Sequence, residues 1–241
     1  ILCLSDIEGE KDPRNLLLIF KLLEMLIPKL NKETLSKHME TIMNLISDYY
    51  PIEFEPPKNS SINITQEDLS NSLNKAISSS PLLLKEMFEL FKENLDGLSI
   101  DGKIEVFKTI SCFYSSLVLS NDDSSEKIIF KLNVLIDCYG TLFDMIVSSV
   151  LNNMDEGLHI EAIKSFVGIV NINSELCQTC LNNLTDELIN TIYTLLVKQI
   201  NKISDLYFKL EDWIFSTEPV KLSYDSRDLL LVIYEYKACI T

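Results

Sequence analysis

Apolar residues recur at helical spacing along almost the whole of this 241-residue chain, and residues that interrupt helices are rare. Leu16, Phe20, Leu23 and Ile27, for example, follow one another at intervals of three or four, which places them on one face of a helix. Only 6 Gly and 7 Pro occur, so the sequence allows long helices joined by short turns. This pattern predicts an all-α fold.

Two helix starts can be read directly from the sequence. Asp12 followed by Pro13 predicts one, because an acidic N-cap precedes a proline at the first helical position. Thr65 with Asp68 three residues later resembles a capping box, with Asp in place of the usual Glu or Gln. Together with the apolar stripes, these signals predict helices over about 13–28, 33–49, 65–77, 81–95, 101–119, 125–151 (bent near Gly140), 157–171, 174–183, 185–209 and 226–239.

The spacing of these helices indicates how they are organised. One new helix for every twenty-odd residues makes helix pairs recur at about 40 residues, the period of HEAT and armadillo repeats. Stacked pairs bury a continuous core at any length. We therefore expect residues 1–241 to form one continuous segment of a HEAT/armadillo-like α-solenoid, with a compact all-α bundle as the alternative. Because the chain begins with Ile inside an apolar run, we expect it to belong to a longer protein.

Charge and cysteine usage narrow the class of protein. A net charge of −15 argues against direct binding to nucleic acid, because phosphate contacts need clustered Lys and Arg. The most apolar stretches, 16–27 and 128–151, contain charged residues and are better read as buried helices than as membrane spans. Six scattered cysteines suit a reducing cytoplasmic or nuclear compartment; they are Cys3, Cys112, Cys138, Cys177, Cys180 and Cys239.

Few residues offer chemistry. Cys177 and Cys180 form a C-x-x-C pair that could hold a metal, but no second Cys or His pair lies at the spacing of a zinc site. We favour buried structural thiols and keep the two as candidate metal ligands. Paired carboxylates fall at helix starts or in turns, where they offset the helix dipole, and the two histidines are isolated. We therefore expect no catalytic site, no cofactor and no enzyme.

Residues 50–64 form a long connection between helices that is too long for a simple turn. With Tyr49 it reads YYPIEFEPPKNSSINI. One interpretation is a rigid strap, in which the prolines hold the chain extended while Ile52 and Phe54 fill the groove between helices. The other is a loop that binds a partner.

Three elements of the sequence, in this order, resemble the N-terminal region of the Mms-nineteen family. They are EGEKDPRNL at 8–16, the pattern aromatic-Pro-Ile-x-Phe-x-Pro-Pro, and a Glu-Asp-Leu that opens a helix. The likeness covers about residues 5 to 120, and KNSSIN departs from it after the proline pair. The matching positions are Glu8, Gly9, Glu10, Lys11, Asp12, Pro13, Arg14, Asn15, Leu16, Pro51, Ile52, Phe54, Pro56, Pro57, Glu67, Asp68 and Leu69.

The resemblance implies a HEAT-repeat scaffold without chemistry of its own. The family is linked to nucleotide excision repair and transcription, and works in the cytosolic iron–sulfur protein assembly targeting complex. It holds assembly factors and apoproteins together so that clusters reach DNA-handling enzymes, and its assembly partners dock mainly on C-terminal repeats. The expected location is cytoplasmic and nuclear. The alternative is a HEAT-repeat nuclear transport receptor that carries basic cargo.

The opening motif raises a question of its own. Capping explains Asp12 and Pro13 but does not require Glu10, Lys11 or Arg14. These residues either fix the turn between the first helices or meet a partner, and we favour the first.

Overall fold

The computed structural model describes residues 9–54, 63–97, 99–118, 124–153 and 155–180, and the short pieces 189–191, 193–194, 197–198 and 201–202. Within these residues the regular elements are all helical, which confirms the predicted all-α fold. The α-helices are α1 (Pro13–Leu26), α2 (Lys32–Lys37), α3 (Met39–Ser47), α4 (Gln66–Ser78), α5 (Leu83–Glu86), α6 (Phe88–Asp96), α7 (Ile100–Leu117), α8 (Ser125–Asn152) and α9 (Glu156–Cys180).

Both predicted helix starts are confirmed. Asp12 is the N-cap of α1 and accepts a hydrogen bond from the backbone N–H of Arg14, with Pro13 as the first helical residue. At α4, the Thr65 hydroxyl accepts from the Asp68 N–H at 3.1 Å, and the Asp68 carboxylate accepts from the Thr65 N–H at 2.9 Å. A short carboxylate at this position therefore completes the capping box as well as the usual Glu does.

Several predicted boundaries are wrong. The helix predicted over 33–49 is divided at His38, which has φ −106° and ψ 8°, and the one over 81–95 is divided at Met87. The apolar period continues across both interruptions, so periodicity does not reveal them. Conversely, α9 runs through 171–173, where a break was expected. Asn171 and Asn173 favour helix only weakly, but each keeps its backbone N–H donor, and no proline stops the helix here.

Gly140 does not interrupt α8, which is continuous from Ser125 to Asn152. A Cβ atom added at Gly140 would lie 3.4 Å from Cε of Lys202. That distance is an ordinary van der Waals contact with a flexible side chain, so the packing does not require glycine at this position.

The chain divides into two compact units, Ile1–Ser116 and Leu117–Thr241. In the first unit, α1 packs along α4. The buried face of α1 carries Leu16, Phe20 and Leu23, and that of α4 carries Leu69, Leu73, Ala76 and Ile77. Each large apolar side chain buried in this way stabilises the fold by roughly 1.5–3 kcal/mol.

The opposite face of α1 is exposed. Leu18 is 64% exposed, and Leu22, Met25 and Leu26 continue the same stripe at helical spacing. Apolar residues all around a helix favour neighbours on several sides. Within the described structure, α1 instead buries one stripe and leaves the other in solvent.

In the second unit, α8 packs against α9. Phe143 joins the two helices, because its ring lies 5.9 Å from those of Tyr139 and Phe166. His159 is buried, and its Nε2 lies 2.8 Å from the carbonyl oxygen of Asn153. This histidine is therefore part of the junction between α8 and α9.

The structure describes the side chains of two cysteines. Cys138 is buried and Cys112 is half-buried, and neither forms a disulfide. Burial raises the pKa of the Cys112 thiol, which keeps it protonated. A search of the described helices found none that is long and apolar enough to cross a membrane.

Candidate functional site

The turn before α1 is held together by the carboxylate of Glu10. One of its oxygens accepts from the backbone N–H groups of Lys11 and Asp12, both at 2.8 Å, and the other accepts from Nδ2 of Asn15 at 2.9 Å. These hydrogen bonds, the one from Asp12 above all, lower the pKa of Glu10. Gly9 begins the turn with a φ of 78°, a conformation that suits glycine.

A second set of contacts fixes the turn to its surroundings. The Arg14 guanidinium reaches both carboxylate oxygens of Asp12, and this pairing lowers the pKa of Asp12 to about 2. The hydroxyl of Tyr49 donates to the backbone oxygen of Glu10 at 3.2 Å, and its ring meets Phe20 edge-on at 5.9 Å. We call residues 9–15 the clasp. Glu8 lies outside the described residues, and Lys11 is exposed.

The connection after α3 begins with residues 50–54, which we call the strap. The peptide bond between Tyr50 and Pro51 is cis. Ile52 is buried, Phe54 is half-exposed, and Nε2 of Gln66 donates to the carbonyl oxygen of Ile52 at 2.8 Å. The strap is therefore fixed to the first turn of α4. Pro56 and Pro57 lie outside the described residues.

A chain of buried polar groups joins the strap to α4 and α7. The Tyr50 hydroxyl lies 3.0 Å from Oγ1 of Thr109, and that hydroxyl donates to Oδ1 of Asn74 at 2.8 Å. Nδ2 of Asn74 in turn donates to Oε1 of Glu105 at 2.6 Å. All four side chains are buried.

The chemistry of these groups determines which one donates and which one accepts in each hydrogen bond of the buried polar chain. An ionised carboxylate only accepts, so Asn74 must turn its NH₂ group to Glu105 and its oxygen to Thr109. Thr109 has one hydroxyl hydrogen, which it directs towards Asn74 and the nearby Glu105 carbonyl. Tyr50 must therefore donate to Thr109. Burial raises the pKa of Tyr50 far above its usual range, which keeps that proton in place.

A cleft of about 740 Å³ opens between the strap, the start of α4 and the start of α7. Its walls carry the carboxylates of Glu53, Glu67, Asp101 and Glu105 and one cation, Lys108. We call it the acidic cleft. Its other lining residues are apolar or neutral: Pro51, Ile52, Phe54, Gln66, Ser70, Ser99, Gly102 and Ile104.

The predicted positions fall on different parts of this unit. The motif residues 9–16 form the clasp and the start of α1, whereas Pro51, Ile52, Phe54 and Glu67 line the acidic cleft. Asp68 and Leu69 lie beside it, as capping partner and as core residue. Cys177 and Cys180 lie in the last turn of α9, and their side chains are outside the described part.

The sequence interpretation missed the buried polar chain. Asn74 was the available signal, since it lies among Leu73, Ala76 and Ile77 on the apolar face of α4. A buried amide needs partners. The identity of those partners could not be read from the sequence, since Glu105 lies 31 residues further on. Among the described side chains, no group of three or more Cys, His, Asp or Glu is placed to hold a metal ion.

The fold and the site define an all-α protein with a rigid acidic cleft between helices. The sequence model of the family described as "Dos2-interacting transcription regulator of RNA-Pol-II" matches residues 2–132, which is more than half of the chain. The chain therefore belongs to this family, the Mms-nineteen or MMS19 family. The match includes both the clasp and the acidic cleft.

Individual relatives agree with this assignment. The MMS19 nucleotide excision repair protein homolog of Dictyostelium discoideum is 39% identical over 108 residues, covering 44% of this chain and 9% of that protein. The homolog of Mus musculus is 36% identical over 104 residues, or 43% and 10% of the two chains. A DNA repair/transcription protein of Saccharomyces cerevisiae that also carries the name MMS19 is 31% identical over 117 residues, or 47% and 11%.

The aligned part spans about a tenth of the length of these relatives. No solved structure matches the chain significantly.

Proposed function

We propose that this chain is part of a non-enzymatic scaffold that acts in DNA repair and transcription. Its specific role would be to help the cytosolic iron–sulfur targeting machinery deliver clusters to apoproteins of DNA repair, replication and transcription. The proposal includes both cytoplasmic and nuclear locations. The observation that carries it is the family match over residues 2–132.

The printed names of the relatives support the broader part of the proposal. Those of the Dictyostelium and mouse proteins refer to nucleotide excision repair, and that of the yeast protein refers to DNA repair and transcription. The iron–sulfur role goes beyond these names and rests on the family resemblance of the clasp and strap motifs.

The charge of the chain supports contact with proteins rather than with nucleic acid. A net charge of −15 repels a phosphate backbone. The acidic cleft adds four carboxylates in one place, where they would attract a basic protein segment.

Affinity capture with purified components tests the proposal. The 241-residue chain, immobilised through a terminal tag, is offered purified cytosolic iron–sulfur assembly factors, an apo iron–sulfur helicase and Ran-GTP in separate experiments. We expect the assembly factors or the helicase to be retained. Retention of Ran-GTP alone would instead support the nuclear transport receptor. Serum albumin, which is also acidic, serves as the control for binding through charge alone.

Elemental analysis tests the non-enzymatic part of the proposal at the C-x-x-C pair. We expect the purified chain to contain no stoichiometric zinc or iron. Metal that is present at one equivalent and lost in Cys180→Ala would show that Cys177 and Cys180 bind it, and would contradict a purely structural role for these thiols.

A further inference from the structure

We propose that the acidic cleft binds an extended, basic segment of a partner protein, with an apolar side chain of that segment seated between its cationic ones. This inference rests on the proposed scaffold function and specifies the chemistry of a partner. It is carried by the distribution of charge in the cleft, by the hydroxyl of Ser70, which has no hydrogen-bond partner among the described residues, and by the apolar residues of the cleft lining.

The cleft carries four carboxylates and one ammonium group. Glu53, Glu67 and Asp101 are exposed at its rim, and Glu105 lies on the α7 wall. None of these carboxylates forms an ion pair with another described residue, and Lys108 is the one cation among the lining residues. Carboxylates gathered in a concave surface focus a negative potential and favour a cationic ligand.

Ser70 provides a second, independent observation. This residue is only 7% exposed, yet its hydroxyl forms no hydrogen bond with any described residue. A helical serine often donates to the carbonyl four residues earlier, but Ser70 does not use that of Gln66. Because Ser70 lines the cleft, its hydroxyl can donate to or accept from a ligand seated there.

The shape of the cleft favours an extended segment. Carboxylates come from both sides, with Glu53 and Glu67 on the strap and α4, and Asp101 and Glu105 on α7. Successive side chains of an extended peptide point in opposite directions, so adjacent cationic residues can reach both walls. Phe54 on the strap and Ile104 on α7 also line the cleft and offer an apolar surface to a side chain of the same peptide.

The structure also explains why the cleft has a fixed shape. The buried polar chain holds Glu105 through Asn74, and the hydrogen bond from Gln66 holds the strap at Ile52. A wall that is already ordered loses little conformational entropy when a ligand binds. The carboxylates of Glu67 and Asp101 lie in the first turns of α4 and α7, whose backbones are regular helix.

The probe for the test is a fluorescein-labelled octapeptide, Lys-Arg-Leu-Lys-Arg-Leu-Lys-Arg, which presents cations and leucines on both faces when extended. Fluorescence anisotropy with the full chain measures its Kd at about 0.15 M salt, where long-range attraction is largely screened. The variant E53Q/E67Q/D101N removes three rim charges and keeps the shapes of the three side chains. The matched control E33Q/E40Q/E93Q changes the net charge equally at positions outside the cleft.

We expect the cleft variant to bind the peptide at least about fivefold more weakly and the control variant to bind it within about twofold of the wild type, since only the first loses charges that face the ligand. Ser70→Ala should weaken binding about threefold, as the loss of one hydrogen bond does. Equal losses in both triple variants, or no loss in either, would overturn the proposal. Melting curves of the variants confirm that they are folded. Because all three rim residues are exposed, we expect the melting temperature to change little.

Two further measurements separate the remaining explanations. Replacing both leucines of the probe by serine should weaken binding if an apolar side chain is seated in the cleft. If spermine, a polyamine without apolar side chains, displaces the probe at equal concentration, the ligand is a free polycation and the peptide proposal is wrong. Failure to capture both the assembly factors and the helicase would contradict the proposed function without altering the peptide result, so the two proposals can fail separately.

Discussion

The hydroxyl of Thr109 is the centre of the buried polar chain. It lies within hydrogen-bond distance of Tyr50, Asn74 and the Glu105 carbonyl, and it is fully buried. Water cannot reach these groups if the hydroxyl is lost. One oxygen atom therefore satisfies polar groups from the strap and from α4 and α7 at the same time.

We expect Thr109→Val, which keeps the shape but removes the hydroxyl, to leave the Tyr50 hydroxyl and Oδ1 of Asn74 each without a partner. The cost should be about 1–3 kcal/mol of unfolding free energy for each stranded group, measured by urea denaturation. Thr194→Val is the matched control, because the Thr194 hydroxyl also bonds to the carbonyl four residues earlier but is exposed. A control loss as large as that of Thr109→Val would contradict the role of burial.

The clasp is also determined at the level of single residues. Hydrogen bonds hold the pKa of Glu10 below its ordinary 4.5, and the Arg14 pairing holds that of Asp12 at about 2 against an ordinary 3.8. A lowered folded-state pKa stabilises the fold above the ordinary value, and that stabilisation disappears as the pH falls through the folded-state value. The clasp should therefore weaken below about pH 4.5.

We expect Glu10→Gln to melt at a lower temperature than the wild type at about pH 6, because one amide cannot accept from three donors in the same way. The difference should shrink as the pH falls below 4.5 and through the lowered folded-state pKa of Glu10, because the carboxylate is then protonated. Lys11→Ala, at the exposed neighbouring position, should show no such pH dependence. A difference that is constant with pH would mean that the carboxylate charge does not stabilise the clasp.

At the scale of elements, α1 has two apolar faces with different surroundings. Leu23 is 5% exposed against α4, whereas Leu18 on the other face is 64% exposed. The same residue type on the same helix thus contributes to stability at one position and contributes little at the other.

We expect Leu23→Ala to lower the unfolding free energy by about 2–5 kcal/mol, because it leaves a cavity between α1 and α4. Leu18→Ala makes the same chemical change in solvent and should stay within about 0.5 kcal/mol of the wild type. Urea denaturation of both variants measures the difference. Similar losses would show that the exposed stripe is also buried in solution.

The interruptions within helices belong to this scale too. Caps predicted two helix starts correctly, because Asp12 and Thr65 act on backbone N–H groups two or three residues away. The interruptions at His38 and Met87 were not predicted. Apolar residues keep their spacing of three or four across each of them, so the sequence pattern is that of an unbroken helix. Local hydrogen bonds can be predicted from neighbouring residues, whereas small changes in helix path depend on packing.

At the scale of the molecule, the chain divides into Ile1–Ser116 and Leu117–Thr241. The question is whether it unfolds in one cooperative transition or unit by unit. In a solenoid, stability is approximately a sum of local terms between neighbouring repeats. In a compact bundle, the whole chain unfolds in one transition. The prediction of one continuous repeat segment over residues 1–241 can be tested through this difference.

We expect Leu23→Ala to speed amide hydrogen exchange in α1 and α4 and to leave exchange in α8 and α9 unchanged. Leu142→Ala, at a fully buried position in α8, should have the reverse effect. Mass spectrometry of peptides from each helix measures both. An equal increase throughout the chain in either variant would favour the compact bundle over the solenoid.

The sequence by itself determined the all-α class, the two capped helix starts and the family. Each of these depends on residues close together in the chain or on the motif itself. Only the tertiary structure decided how the clasp engages Tyr49, 39 residues away, and how Tyr50 meets Thr109, 59 residues away. The acidic cleft likewise combines residues from 51 to 108. Helical period and caps report on neighbours along the chain, whereas these contacts exist only once distant helices have packed.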